Sequence, residues 1–409
     1  MAEYSKTEES RQEQNRQEWE RPWESGPLRV SENGRYFQCG ETPFFWMADT
    51  AWLLFHKLTL EESRQYLRNR RELGYNVILA DCMHGPGQTN RDGEAALPGG
   101  SFREIPSEAG FWKHVDQVLD MAKELGLYVG LLPIWGSSFV PQGLVSGAEM
   151  DDYLDFLLER YASYPNLIWI VGGDVRGDAD RALFVRMGRK LKEAMPQTLV
   201  GYHPFGRTSS SLWFQEEGWL DFHLFQSGHR RYDQVSLQAW DDGREEEFQF
   251  GEDNWRYVAH DRTLLPARPV LDGEPSYEEI VQGLHDTAQP YWMAADVRRY
   301  AYWSVLSGAA GHTYGHNAVM QFYGDKSVSG AFGVRSLWSE AVHHPGAAQM
   351  IFLKRVMESC RYQEGAAAQE LLTEEQGGAV RVYSGLCRAG LCAGLYLYRT
   401  DDLSGSGSV

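Results

Sequence analysis

The chain has 409 residues, 43% of them hydrophobic and 23% charged, a balance suited to a globular protein with a sizeable core. Acidic residues outnumber basic ones 57 to 39, giving a formal net charge of −18. Nucleic acid and anionic membrane surfaces demand a basic footprint, so neither is an expected partner, and a neutral substrate suits the balance better.

The first residues, "MAEYSKTEESRQEQNRQEWERPWESG", are polar and carry no apolar signal core. No stretch is long and apolar enough to span a bilayer. Cys39, Cys82, Cys360, Cys387 and Cys392 form no CxxC pair and are odd in number, so reduced thiols are expected. Together these features predict a cytoplasmic location.

After a polar leader (1–27), "LRVSENGRYFQ" reads as a hairpin, with Asn33-Gly34 suited to a tight primed turn. Short apolar strands then alternate with helical patterns. The strands are expected at 44–50, 76–82, 128–135, 167–174, 199–205, 221–227, 269–275 and 311–316. Between them, "TLEESRQYLRNRREL" carries a Thr cap with Glu in the first turn, and "GFWKHVDQVLDMAKELG" ends on a Gly stop. "AEMDDYLDFLLERYASY", "DRALFVRMGRKLKEAM" and "WMAADVRRYAYWSVLSG" are further helices. Several strands are continuous apolar runs, as a parallel sheet covered on both faces requires.

This alternation predicts an α/β fold, a (β/α)8 TIM barrel over 28–340. An open doubly wound sheet would carry a Gly-rich phosphate turn after its first strand, and none is present. From 341 the texture changes. "HHPGAAQMIFLKRVMESC" reads as one more helix, then "GAVRVYSG" and "GLCAGLYLYRT" alternate like antiparallel strands. A small β-rich C-terminal domain, sandwich-like, is expected over 341–409, ending in the low-complexity "DDLSGSGSV".

In such a barrel the active site lies at the C-terminal strand ends. Polar residues there are Asp49, Asp81 with His84, Asp174, His203, Gln226 with His229, Glu274, and His312 with Tyr314 and His316. Among the 14 Trp, 21 Tyr and 18 Phe, Trp46, Trp52 and Trp135 lie near strand ends and could stack on sugar faces. Asp174 closes "LIWIVGGD" and Glu274 closes "RPVLDGEP", on strands that face one another across the barrel. Glycoside hydrolysis needs such a pair, one carboxylic acid to protonate the leaving oxygen and one carboxylate to attack or to activate water. The histidines, Asp49, Asp81, Gln226 and Tyr314 are then candidates for bonding sugar hydroxyls.

The motifs "WMADTAW", "WIVGGD", "FQSGH", "DGEP", "GAAGHTYGHN" and "HPGAAQMIFLKRVMES" occur in this order, and together they resemble the apiosidase-like glycoside hydrolases. The resemblance runs from about residue 28 to the C-terminus. It implies a barrel related to clan A glycosidases, followed by a small β-sandwich named for collagen binding, against which this C-terminal module looks short. It implies that Asp174 is the acid/base and Glu274 the nucleophile of a retaining, exo-acting enzyme on plant-derived glycans, with terminal apiose as the leading target. Clan A enzymes generally carry Asn-Glu where this chain has Gly173-Asp174. Asp is one methylene shorter, so the backbone must come nearer the glycosidic oxygen.

Other classes fit less well. A metal-dependent barrel hydrolase would show a His-x-His pair ending the first strand, where this chain has "ADTAW", so no metal or other cofactor is expected. A Ser-His-Asp hydrolase would carry a G-x-S-x-G elbow, and neither "VSGAE" nor "QSGHR" supplies one. A non-catalytic sugar-binding barrel would keep the aromatics and lose a carboxylate, yet both are present.

Overall fold

The computed structural model describes residues 19–231 and 253–365, and the backbone of the short strands Ala366–Ala367, Leu386–Arg388 and Leu391–Cys392. These three strands pair antiparallel. The remainder of the expected C-terminal module lies outside the described residues.

The N-terminal strands β1 (Leu28–Val30), β2 (Phe37–Cys39) and β3 (Thr42–Phe44) form an antiparallel sheet. The β1–β2 connection is wider than the two-residue turn expected. Asn33 takes the Ser31 hydroxyl and the Arg35 N–H on its Oδ1, and Ser31 bonds Tyr36 across the loop, so the side chain organises a longer turn.

The barrel strands follow: β4 (Trp46–Thr50), β5 (Val77–Asp81), β6 (Tyr128–Leu132), β7 (Leu167–Val175), β8 (Val200–Pro204), β9 (His223–Phe225), β10 (Val270–Asp272) and β11 (Gly311–Tyr314). Each falls within or beside a strand expected from the sequence. A six-stranded parallel ladder runs β11-β4-β5-β6-β7-β8, and β9 pairs β10 in a second parallel ladder. Backbone bonds link the two, Asp221 N–H to Val200 O (2.9 Å) on one side and Ala310 N–H to Val270 O (2.9 Å) on the other. The result is an α/β barrel.

Its helices start and stop where local chemistry dictates. Helix α1 (Leu60–Glu72) begins at Thr59 and α3 (Gly147–Tyr161) at Ser146, each with a reciprocal box to Glu62 or Glu149. Helix α2 (Gly110–Glu124) runs into Gly126, whose φ is +69°. Helices α4 (Arg181–Ala194), α5 (Asn254–Asp261), α6 (Ala294–Leu306) and α7 (Pro345–Ser359) complete the long set. Helix α7 buries Ala347, Met350, Leu353 and Met357 in the same cluster as the α6 residues Val297 and Ala301. The first part of 341–409 is therefore packed on the barrel.

Strand alternation divides the core in two. Ile78, Ala80, Trp169 and Val171 pack with the α2–α4 residues Leu119, Leu154 and Leu191, whereas Val77, Leu79, Ile168 and Ile170 join Phe37, Trp46 and Phe222. Phe37 from the hairpin packs on Trp46 and Phe222 (5.7 and 5.6 Å), closing the end where the strands begin. Part of the polar leader also docks here. Trp23 meets Tyr128 edge-on at 5.2 Å, and Arg71 lies over Trp19.

One buried charge fixes α1 to the barrel wall. Asp49, fully buried, accepts from Arg70 Nε at 2.6 Å and from the Tyr66 hydroxyl at 2.5 Å, both on α1. Removing one partner of a buried pair strands the other charge, which costs far more than replacing both. Asp49→Ala should therefore lower stability by about 3–5 kcal/mol, while Asp49→Leu with Arg70→Met should recover most of that loss, both read from denaturant melts.

Candidate active site

The C-terminal ends of the strands open into a cavity of about 660 Å³. Strand β7 delivers Asp174 to it through an irregularity. Its ladder with β8 shifts between Gly172 and Val175, and three successive residues turn left-handed: Gly172 (φ +93°), Gly173 (φ +107°) and Asp174 (φ +46°). A Cβ on Gly172 would stand 2.5 Å from His203 O, and one on Gly173 2.8 Å from Gly136 N. Only glycine passes at either position. Asp itself tolerates the left-handed region better than most residues.

Glu274 arrives from the opposite wall, just after β10, where the Gly273 N–H continues the ladder to Phe225 O (2.8 Å). Two imidazoles face its carboxylate: His229 Nε2 lies 2.9 Å from Oε1, and His203 Nε2 lies 3.2 Å from Oε2. The tautomer of His203 is set on its far side, where Nδ1 accepts the backbone N–H of Asp174 at 3.2 Å. A neutral ring then carries its proton on Nε2, toward Glu274.

The two carboxyl groups are pushed in opposite directions. Burial raises the pKa of Asp174 well above the usual carboxylate range, and the charge of Glu274 raises it further; the Gln226 side chain, Arg230 and the Gly206 N–H pull the other way and lose. Burial alone would raise Glu274 as well, but His203 and His229 outweigh it and hold Glu274 below the ordinary value. Proton affinity is raised on one group and lowered on its neighbour, the division of labour an acid and a nucleophile require.

An aromatic wall stands beside them. Trp52 and Trp135 lie 4.8 Å apart, both rings pack against His203, and His84 stacks on Trp135 at 5.2 Å and 24°. Asp81 does not line the cavity. Buried beneath it, Asp81 holds His84 Nδ1 at 2.9 Å and His56 Nε2 at 3.2 Å. Of the residues singled out from sequence, Trp52, His84, Trp135, Asp174, Gln226, His229 and Glu274 line the cavity, with His203 buried against the carboxylates.

The others lie elsewhere, for identifiable reasons. Trp46 begins its strand rather than ending it and sits at the closed end of the barrel. Asp49 belongs to Arg70. Tyr314 donates its hydroxyl to Glu278 at 2.5 Å, and His312 is fully buried with both ring nitrogens unpartnered, so burial pushes its pKa down to about 3. His316 caps the turn Asn317–Met320 by accepting the Ala318 N–H on Nδ1 (3.0 Å).

His316 also approaches His344 and Glu279 in a cluster with metal-ligand character. Because Nδ1 accepts, the proton sits on Nε2, 3.0 Å from His344 Nδ1. A metal-binding imidazole donates from its second nitrogen instead, so the pair reads as a hydrogen bond.

Sequence reading missed Arg207, Arg230, Tyr277 and the opposite wall, Met320 to Phe332. Tyr277 packs edge-on against His229 at 4.8 Å. Backbone strain marks what periodicity does not. Six of the eight described non-glycine residues with positive φ line this cavity: Asp174, Arg207, His229, Leu284, Phe322 and Phe332.

The family model described as "Apiosidase-like, catalytic domain" matches residues 31–364. The chain belongs to this apiosidase-like family and is a glycosidase. A solved structure titled only "Glycoside hydrolase" is 39% identical, covering 90% of this chain and 82% of the other, with a TM-score of 0.83. A family 5 glycoside hydrolase from Bacteroides vulgatus ATCC 8482 is 37% identical over 90% and 80% of the two chains, with a TM-score of 0.84. The endo-1,4-β-D-mannanase of Thermotoga petrophila RKU-1, 14% identical over 76% of this chain and 100% of its own, shares the fold with a TM-score of 0.53. A search of curated proteins returns no significant match. No helix among the described residues is long and apolar enough to cross a membrane.

Replacing His229 removes one of the groups that keep Glu274 ionised. The Glu274 pKa must then rise, so its proton stays on to higher pH and the acid limb of the rate profile moves up. His229→Asn, which tolerates the φ of +78° at this position, should shift that limb by roughly one unit or more while leaving the basic limb in place. A pH profile of kcat/KM, or a carboxyl ¹³C titration of Glu274, measures it.

Proposed function

We propose that this glycosidase is exo-acting and retaining, and that it removes a terminal sugar, apiose first among the candidates, from plant-derived oligosaccharides or glycosides. The observation that carries the reading is the carboxylate pair in one cavity, Asp174 with its pKa raised by burial and Glu274 faced by two imidazoles that lower its own.

In the first step Glu274 attacks the anomeric carbon and the bond to the glycosidic oxygen breaks. Asp174 gives its proton to that oxygen, so the aglycone leaves neutral. The charge of Glu274 is then consumed in the glycosyl ester, and with it one of the causes that hold the proton on Asp174. Asp174, now ionised, takes a proton from water, and the hydroxide attacks the anomeric carbon and frees Glu274. Retention follows from the two inversions. Trp52 and Trp135 offer ring faces for the sugar to stack on, and Gln226 and His84 offer partners for its hydroxyls.

Barrel closure as (β/α)8 over 28–340, with a small β-rich domain over 341–409, belongs to the same reading. A non-catalytic sugar-binding barrel would have no use for opposed proton affinities.

The test is hydrolysis of a panel of apiosides and simple aryl glycosides by wild type, Asp174→Ala and Glu274→Ala. Wild type should release one sugar, with the first-formed anomer matching that of the substrate by ¹H NMR, and each variant should lose at least ~10³-fold in kcat. Near-full rate in either variant would reject the site, and an inverted first product would reject the covalent route. Because Asp174 must be protonated, activity should fall as pH rises through its elevated pKa, above the range of an ordinary aspartate.

A further inference from the structure

The concave surface does not end at the catalytic cavity. A second hollow of about 500 Å³ is lined by His56, Lys57 and the loop Pro86 to Arg91. Lys57 and Arg91 line both hollows, so the second opens from the rim of the first. The two differ in chemistry. The catalytic cavity has aromatic walls, whereas the second offers Lys57, Gln88, Thr89 and Arg91, which are hydroxyl-bonding groups with little apolar surface.

The loop is built to hold its shape. Asn90 folds back on it, accepting the N–H groups of Asp92 (3.1 Å) and Glu94 (2.9 Å) and donating to the Glu94 carboxylate (3.1 Å). Thr89 bridges Ala95, Ala96 N–H reaches Gln88 O, and the Trp112 indole on α2 donates to Ala96 O at 2.9 Å. Asn90 is thus occupied internally and buried, while Thr89 is exposed and Gln88 half-buried at the surface of the hollow.

A single carboxylate also locks the two hollows into one frame. Asp81 can only accept, so both rings bonded to it must donate: His56 under the second hollow and His84 on the wall of the first. His84 then turns its Nε2, on a side chain 33% exposed, toward the cavity as a hydrogen-bonding partner for a sugar hydroxyl.

We infer that the second hollow is a further sugar subsite, which receives a unit of the aglycone beyond the one next to the scissile bond. The substrate is then an oligosaccharide of at least three units rather than a simple glycoside. This inference rests on the glycosidase reading, in which one terminal sugar is released and any extension must lie on the aglycone side. A stiff, polar loop loses little freedom on binding and supplies contacts only to a chain long enough to reach it.

The experiment separates binding from cleavage. Glu274→Gln protein is titrated calorimetrically with apiose-terminated di-, tri- and tetrasaccharides, in the otherwise native background and with Gln88→Ala and Thr89→Ala added. Affinity should rise by about tenfold from di- to trisaccharide, the worth of one or two hydrogen bonds, and the rise should vanish in the loop variant. Equal affinity for the two lengths overturns the subsite, whether or not the loop variant folds, and so does a gain that survives the loop substitutions. Failure of all three sugars to bind, alongside a wild type that cleaves none of them, removes the apiose reading and this inference with it.

Discussion

One imidazole joins the two carboxylates that face each other in the cavity. His203 accepts the backbone N–H of Asp174 on one nitrogen and turns the other toward the carboxylate of Glu274. Its orientation is therefore dictated by the bulge that ends β7, and the proton it presents to Glu274 is dictated by the same bond. If the bulge relaxed, Asp174 would return to the ladder and His203 would lose the bond that fixes its tautomer. The placement of Asp174 and the ionisation of Glu274 are thus linked through one side chain.

That dependence accounts for the strain. A left-handed aspartate following two left-handed glycines is an expensive way to end a strand, and it persists only because the surroundings over-determine it. Val175 re-enters the ladder with Pro204, Tyr202 donates its hydroxyl to Val175 O at 2.8 Å, and His203 holds the Asp174 N–H. The same pattern recurs around the cavity, where most of the described non-glycine positive-φ residues lie. The regular barrel carries the stability, and the irregular residues at its rim carry the aim of the side chains.

This contrast explains what could be read from the sequence. The barrel strands were legible because a parallel sheet covered on both faces leaves continuous apolar runs, and "LIWIVGGD" could hardly be anything else. Asp174 and Glu274 were legible because a carboxylate after such a run has few reasons to exist. Asp49 and Tyr314 looked equivalent at the same strand ends, but strand residues alternate between faces, and these two turn toward charged partners on neighbouring elements. Asp49 finds Arg70, and Tyr314 finds Glu278, neither of which is near in sequence. Arg207, Tyr277 and the wall from Met320 to Phe332 escaped notice because they occupy loops, where no period announces which residue faces inward. The His203 tautomer was equally hidden, since it depends on a backbone N–H 29 positions away.

The described carboxylates around the strand ends differ in what compensates them. Asp49 is met by a guanidinium, Asp81 by two imidazoles and Glu274 by two imidazoles. Asp174 receives an amide from Gln226 and a backbone N–H from Gly206, and the charge of Arg230 does not compensate for burial beside Glu274. Reversing the two proton affinities would require moving His203 and His229 from one wall of the cavity to the other. Under the proposed mechanism the acid is the less compensated of the two carboxylates that line the cavity, and the nucleophile is the one faced by two imidazoles; Asp272, buried against Ser227 and Asn254, is also raised but does not line the cavity.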